Sequence, residues 1–188
     1  MTRRAACLRR WKITGNGANA NCLHGWDTIV FEYRQAEELR DVFQKRGVKF
    51  LLLGKSAAIV LGFPDTTQDV DVFPEKTPAN GQAIVLALRD IGFDLTASDS
   101  AAIERGKDFV QLKSGPFDID LIFAPDGIDS FEAAWKRHLE IGGVPVCHID
   151  DVIASKKAAN RAKDRESLPR LLAFRDYWLE QHRNSSEN

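Results

Sequence analysis

The chain has 188 residues, a formal net charge of -1, 44% hydrophobic residues and 28% charged residues. That length suits one domain with a sizeable core. The near-neutral charge argues against a protein that coats nucleic acid by bulk electrostatics, while leaving room for a local basic groove. Cys7, Cys22 and Cys147 are scattered without a CxxC pair. That odd count fits a reducing cytoplasm better than a disulfide framework. No two Cys or His share zinc-ligand spacing. No apolar run approaches membrane-spanning length, and the basic N-terminus lacks the apolar stretch of a signal peptide, so a cytoplasmic protein with no membrane partner is expected.

Residues 1–25 combine clustered Arg with Gly, Asn and Ala and show no periodicity. They are expected to be a flexible basic tail, with a nucleic-acid-binding arm as the alternative. The domain is expected over 26–182, with a frayed end at 183–188. A first helix places Ala36, Leu39, Val42 and Phe43 on one face and stops at Gly47. "VKFLLL" reads as a short buried strand, "SAAIVLG" as a short helix closed by Gly62, "DTT" as a turn and "QDVDVF" as a second strand. A helix follows from about Gly81 to Gly92, with Ile84, Leu88 and Ile91 inward. "DFVQLKS" and "GPFDIDLIF" read as two strands joined at Ser114-Gly115. "SFEAAWKRHLEIGG" reads as a helix capped by Ser130, and "VPVCHI" as a last strand. Asp150 is expected to cap a helix running through "DVIASKKAANRAKD". "SLPRLLAFRDYWLEQH" closes the fold as a helix with Pro169 in its first turn. The sum is an α/β (α+β) chain, a mixed sheet of about five strands flanked by helices, with C-terminal helices.

Gly54-Lys55-Ser56 reproduces the last three letters of a phosphate-binding P-loop. The first glycine of that motif would fall at Lys49, and "FLLL" between them belongs to a strand, so a P-loop does not form. Gly54 instead stands where a strand ends and a helix begins, with free N–H groups and the Ser56 hydroxyl close by. That is a place for a phosphate, or a plain strand-to-helix turn.

Asp69 and Asp71 lie two apart in a strand, so they share one face at roughly 6–7 Å spacing while Val70 and Val72 face the core. Two carboxylates this close repel, and a divalent cation would relieve the repulsion; hard oxygen ligands suit Mg²⁺ or Mn²⁺. Asp118 and Asp120 repeat the pattern in a later strand. Acids in an apolar strand are costly unless they meet a metal, a base or water. If the two strands are neighbours, the acids converge as two-metal phosphoryl-transfer chemistry requires. The alternative is an exposed edge-strand face.

In this order, Gly54, Ser56, Asp69, Asp71 and Asp120 resemble the DNA polymerase β-like nucleotidyltransferase superfamily. Its pattern is a hydrophobic strand ending in Gly-Gly or Gly-Ser, then Asp-apolar-Asp, then a third acid on a separate strand. Lys55 stands at the second position of that pair, and Pro64-Asp65 stands where an Arg is usual. "VPVCHIDDVIASKKAANRAKD" resembles a segment of the abortive-infection toxin branch and its small relatives, through Lys156, Arg161, Lys163 and Asp164. Lys156, Asn160 and Lys163 would share one helical stripe, either facing the acids or forming a solvated basic face.

The resemblance implies transfer of a nucleoside monophosphate from an NTP to an acceptor hydroxyl on tRNA, a protein or a small molecule. In the toxin branch it also implies a partner antitoxin. Asp69, Asp71 and Asp120 would be the catalytic metal ligands, with Asp118 as the alternative third acid. Gly54, Lys55, Ser56, Lys156 and Lys163 would contact the nucleotide, and Arg161 and Asp164 the acceptor. The rival reading is the same fold without catalysis, as a nucleotide- or partner-binding module.

Overall fold

The computed structural model describes residues 33–185. The expected tail at 1–25 and Trp26 lie outside the described residues. Helix α1 (Tyr33–Lys45) buries Ala36, Leu39 and Phe43 as the periodicity requires. Gly47, at φ +68, follows it. Strand β1 (Phe50–Leu52) is buried throughout and leads directly into α2 (Gly54–Val60). Strand β2 (Asp69–Pro74) comes next, then α3 (Pro78–Ile91), which ends at Gly92 in the left-handed region. Thr77 caps α3 and Pro78 occupies its first turn, so the helix starts before the expected Gly81.

The structure adds helix α4 (Ala97–Glu104), which the periodicity does not reveal. Its sequence signal is the reciprocal cap: Thr96 accepts from the Asp99 N–H, and Asp99 accepts from the Thr96 N–H. The antiparallel pair β3 (Phe109–Leu112) and β4 (Asp118–Ile122) follows as expected. The long helix expected from Ser130 is corrected. Helix α5 (Phe131–Trp135) is short, and the rest becomes β5 (Leu139–Ile141), paired with β6 (Val144–Val146). Gly142 and Gly143, at φ +58 and +78, make the two-residue turn that joins them.

The C-terminal reading is corrected in three places. His148, rather than Asp150, occupies the N-cap of α6 (Ile149–Ala159). That helix stops at Asn160, which adopts φ 48, and α7 (Ala162–Ser185) starts anew. Asn tolerates the left-handed cap that breaks the helix. Lys156, Asn160 and Lys163 therefore do not form one helical stripe. Pro169 lies inside α7 rather than in its first turn.

The six strands of the described residues form one mixed sheet in the order β3-β4-β2-β1-β6-β5. β2 runs parallel to β4, and β1 parallel to β6; the other neighbours are antiparallel. Helix α3 packs on α1 and α4, while α6 packs on α2 and α7. The core is apolar and includes Leu51, Leu52, Val72, Ile84, Leu88, Ile119 and Leu121. Asn80, 6% exposed, stitches α3 to the sheet. Its Oδ1 accepts from the Lys49 N–H at 2.9 Å, and its Nδ2 donates to the Lys49 and Glu75 carbonyls at 2.9 and 2.8 Å.

Replacing Asn80 leaves the Lys49 N–H without its partner and takes one of two donors from each of the Lys49 and Glu75 carbonyls, which keep the N–H groups of Glu75 and Thr77. Asn80→Ala is expected to lower unfolding free energy by about 2–3 kcal/mol in urea titrations, with an unchanged m-value.

Candidate active site

Parallel pairing of β2 with β4 sets Asp69 opposite Asp118 and Asp71 opposite Asp120. Residues paired across a sheet share a face. The apolar alternates Val70, Val72, Ile119 and Leu121 are buried in the core. One carboxylate oxygen each from Asp69, Asp71 and Asp120 lies within 4.8 Å of the others. Asp118 is outside this cluster, 3.9 Å from Lys113 Nζ.

Each of the three acids accepts a hydrogen bond that orients it. Thr67 Oγ1 donates to Asp69 at 2.6 Å, Lys55 N–H donates to Asp71 at 3.2 Å, and Gln111 Nε2 donates to Asp120 at 3.0 Å. Thr67 and Gln111 were not among the expected site residues. Gln111 carries a readable signal, since the alternation of "FVQL" puts it on the face away from Val110 and Leu112.

Gly54 has a structural necessity. At φ +62 it lies so close to Asp71 that an added Cβ would meet Asp71 Oδ2 at 1.9 Å. The missing side chain is what lets the carboxylate rest against the start of α2. Ser56 is placed differently from a phosphate contact. It is fully buried, its hydroxyl donates to the Leu53 carbonyl at 3.0 Å, and it accepts from the Asp71 N–H at 3.1 Å. The hydroxyl thus donates within the first turn of α2 and, through the bond it accepts from Asp71, ties that helix to β2.

The acids form the floor of a cleft of about 450 Å³, walled by Gly54, Lys55, Phe109, Lys156, Arg161 and Lys163 among others. Lys156 Nζ is 3.3 Å from Asp164 Oδ1, and Asp164 is buried. The second Asp164 oxygen accepts from the Arg161 N–H at 3.2 Å. Asp164 thus holds Lys156 in place and also caps the chain reversal between α6 and α7. Lys163 is exposed and Arg161 keeps a 65% exposed side chain. Lys55 Nζ is 3.7 Å from Asp65 Oδ2, and Arg170 Nη1 approaches the same oxygen at 3.3 Å.

Burial, then repulsion from Asp69 and Asp120, pushes the Asp71 carboxyl up to about 7. The Lys156 charge and the Lys55 N–H work against that rise. Burial also raises Asp120, with Asp69 and Asp118 adding to it, while Gln111 and Lys163 oppose it. Three oxygen ligands that repel one another in a partly buried pocket suit a hard divalent cation such as Mg²⁺ or Mn²⁺.

A carboxyl whose folded pKa is raised favours the folded state when protonated. Its contribution is fully present below the ordinary value of 3.8 and is lost as pH rises toward about 7. Asp71→Asn removes this dependence. Without metal, the variant's stability advantage over wild type is expected to grow from pH 4 to 7 and then level off. Its size should be on the order of 2 kcal/mol, read as a melting-temperature gain of several degrees. Mg²⁺ or Mn²⁺ should stabilise wild type at pH 8 and leave the variant nearly unmoved.

No family model matches the chain, and no curated protein matches it. Among solved structures, it is similar to a "putative nucleotidyltransferase" from Thermotoga maritima. That likeness has 15% identity and a TM-score of 0.47, and covers 76% of this chain and 93% of the other.

Proposed function

We propose that the protein is a metal-dependent nucleotidyltransferase, moving a nucleoside monophosphate from an NTP to an acceptor hydroxyl. The observation that carries this is the convergence of Asp69, Asp71 and Asp120 within 4.8 Å on two adjacent parallel strands. Such a cluster is expensive to maintain and gains its use when a cation and a polyphosphate enter together. Mg²⁺ or Mn²⁺, held by these carboxylates, would neutralise the triphosphate and polarise the phosphorus under attack.

This chain's own residues do the rest. Lys156 is the cation whose charge reaches Asp71, Lys55 lines the same cleft, and both would offer charge to the departing pyrophosphate. Gly54 leaves the space in which the Asp71 carboxylate rests against the start of α2. Lys163, beside Asp120, faces the attacking end. The acceptor oxygen bonds to the α-phosphorus, the bond to the bridging oxygen breaks, and pyrophosphate carries away the electron pair. Asp120, the acid of the cluster nearest the β3 edge, would take the hydroxyl proton. Catalysis of this kind is mostly positioning and charge neutralisation.

Calorimetry with Mg²⁺ and each NTP tests the reading. Wild type should bind at least one NTP in a metal-dependent way, and the Asp69→Ala plus Asp71→Ala double variant should lose that binding by 100-fold or more, about 3 kcal/mol. Binding that ignores both metal and the double substitution would reject a nucleotidyltransferase. Metal-dependent binding without pyrophosphate release in the presence of cell extract would instead favour a nucleotide-binding module.

A further inference from the structure

The cleft has an apolar corner that neither the metal cluster nor the fold uses. In β3, Val110 and Leu112 are 7% and 3% exposed and fill the core. Phe109 and Gln111 alternate with them and line the cleft. Gln111 orients Asp120. Phe109 is 48% exposed. Single exposed apolar residues are ordinary on protein surfaces. This one, however, lines the pocket that holds the acids, and so does Ile122, its partner across the ladder.

The position of this corner relative to the acids gives it meaning. The strand order β3-β4-β2-β1 separates two ends of the cleft. Gly54 and Lys55 follow β1 and adjoin Asp71; Phe109, Gln111 and Asp120 lie toward the β3 edge. In-line displacement puts attacking and leaving oxygens on opposite sides of the phosphorus. With pyrophosphate leaving beside Lys55 and Lys156, the acceptor enters beside Asp120 and Phe109. Lys163 is near enough to Asp120 to offset its charge, and Arg161 lines the same cleft.

We infer that Phe109 and Ile122 form a platform for the base of a nucleotide whose ribose hydroxyl is the acceptor, with Arg161 and Lys163 taking the adjoining phosphate. This deepens, and rests on, the nucleotidyl-transfer reading above. An aromatic face beside cations is how single-stranded nucleic acid is held without sequence readout. A serine or threonine hydroxyl on a peptide brings neither a flat ring nor a phosphate, and would leave both features without a partner. The step is the balanced one given above: the ribose oxygen gains the α-phosphorus, pyrophosphate departs, and the hydroxyl proton passes to Asp120.

The test measures transfer of α-labelled NMP, in Mg²⁺, onto a short single-stranded RNA with a free 3′ hydroxyl. Phe109→Ala is expected to raise the acceptor KM about 10-fold or more, without a matching change in NTP affinity; Phe109→Tyr should stay close to wild type. With wild type, an RNA whose last nucleotide lacks its base should lose a similar factor, and Phe109→Ala should add little to that loss. The same Phe109 dependence with a free mononucleotide as acceptor would show that one nucleotide suffices. An acceptor KM indifferent to Phe109→Ala overturns the inference, as does label entering a Ser/Thr peptide but not RNA. Calorimetry on the same preparations separates the failures. Metal-dependent NTP binding together with Phe109-independent transfer removes this inference alone, whereas absence of that binding removes the transferase reading and this one with it.

Discussion

Mutual repulsion among three carboxylates, imposed by the parallel pairing of β2 with β4, is the constraint around which the site is built. The register that buries Val70, Val72, Ile119 and Leu121 cannot do so without bringing Asp71 across from Asp120. A slip of one residue would separate the acids, but it would also turn the apolar set out of the core. Hydrophobic burial therefore supplies the energy that holds like charges together. The local compensation is partial: a neutral donor for each acid, and the charges of Lys156 and Lys163. What is left over is a standing demand for positive charge.

The neighbourhood of Asp71 shows how backbone geometry serves that electrostatics. Gly54 gives up a side chain so that the carboxylate can approach the start of α2, and Ser56 gives up its hydroxyl to lock α2 onto β2. The letters that imitate a P-loop are thus explained by a strand-to-helix joint pressed against an acid. Lys55, the residue between them, turns toward Asp65, which Arg170 also approaches, while still lining the cleft. On the far wall, the buried Asp164 fixes Lys156 through an ion pair and receives the Arg161 N–H. A buried pair of this kind adds little net stability but sets geometry well. Here it keeps a cation aimed at the acid cluster across the break at Asn160.

Much of this was legible in the chain because period-two alternation is local. "DVDVF" and "DIDLI" each declare an acidic face and an apolar face before any partner is known, and α1 and the end of α3 follow from 3.6-residue spacing. Other features failed for equally physical reasons. Helix α4 has no consistent apolar stripe, so only its Thr96–Asp99 cap betrays it. The stretch after Trp135 has residues acceptable in a helix, but Gly142-Gly143 favours a tight hairpin, and pairing with β6 decides the matter. A stripe through Asn160 requires a continuous helix, and the left-handed Asn interrupts it.

The sequence by itself determined which polar residues share a face or a turn: two pairs of acids on strand faces, a glycine at a strand end and a set of late cations. Those are properties of neighbours along the chain. Only the tertiary structure decided that Asp120 rather than Asp118 joins the cluster, that Ser56 is scaffold, and that Gln111 and Phe109 belong to the cleft. These depend on which strand lies beside which and in what register. That choice is made by burying the whole core at once, and no local pattern encodes it.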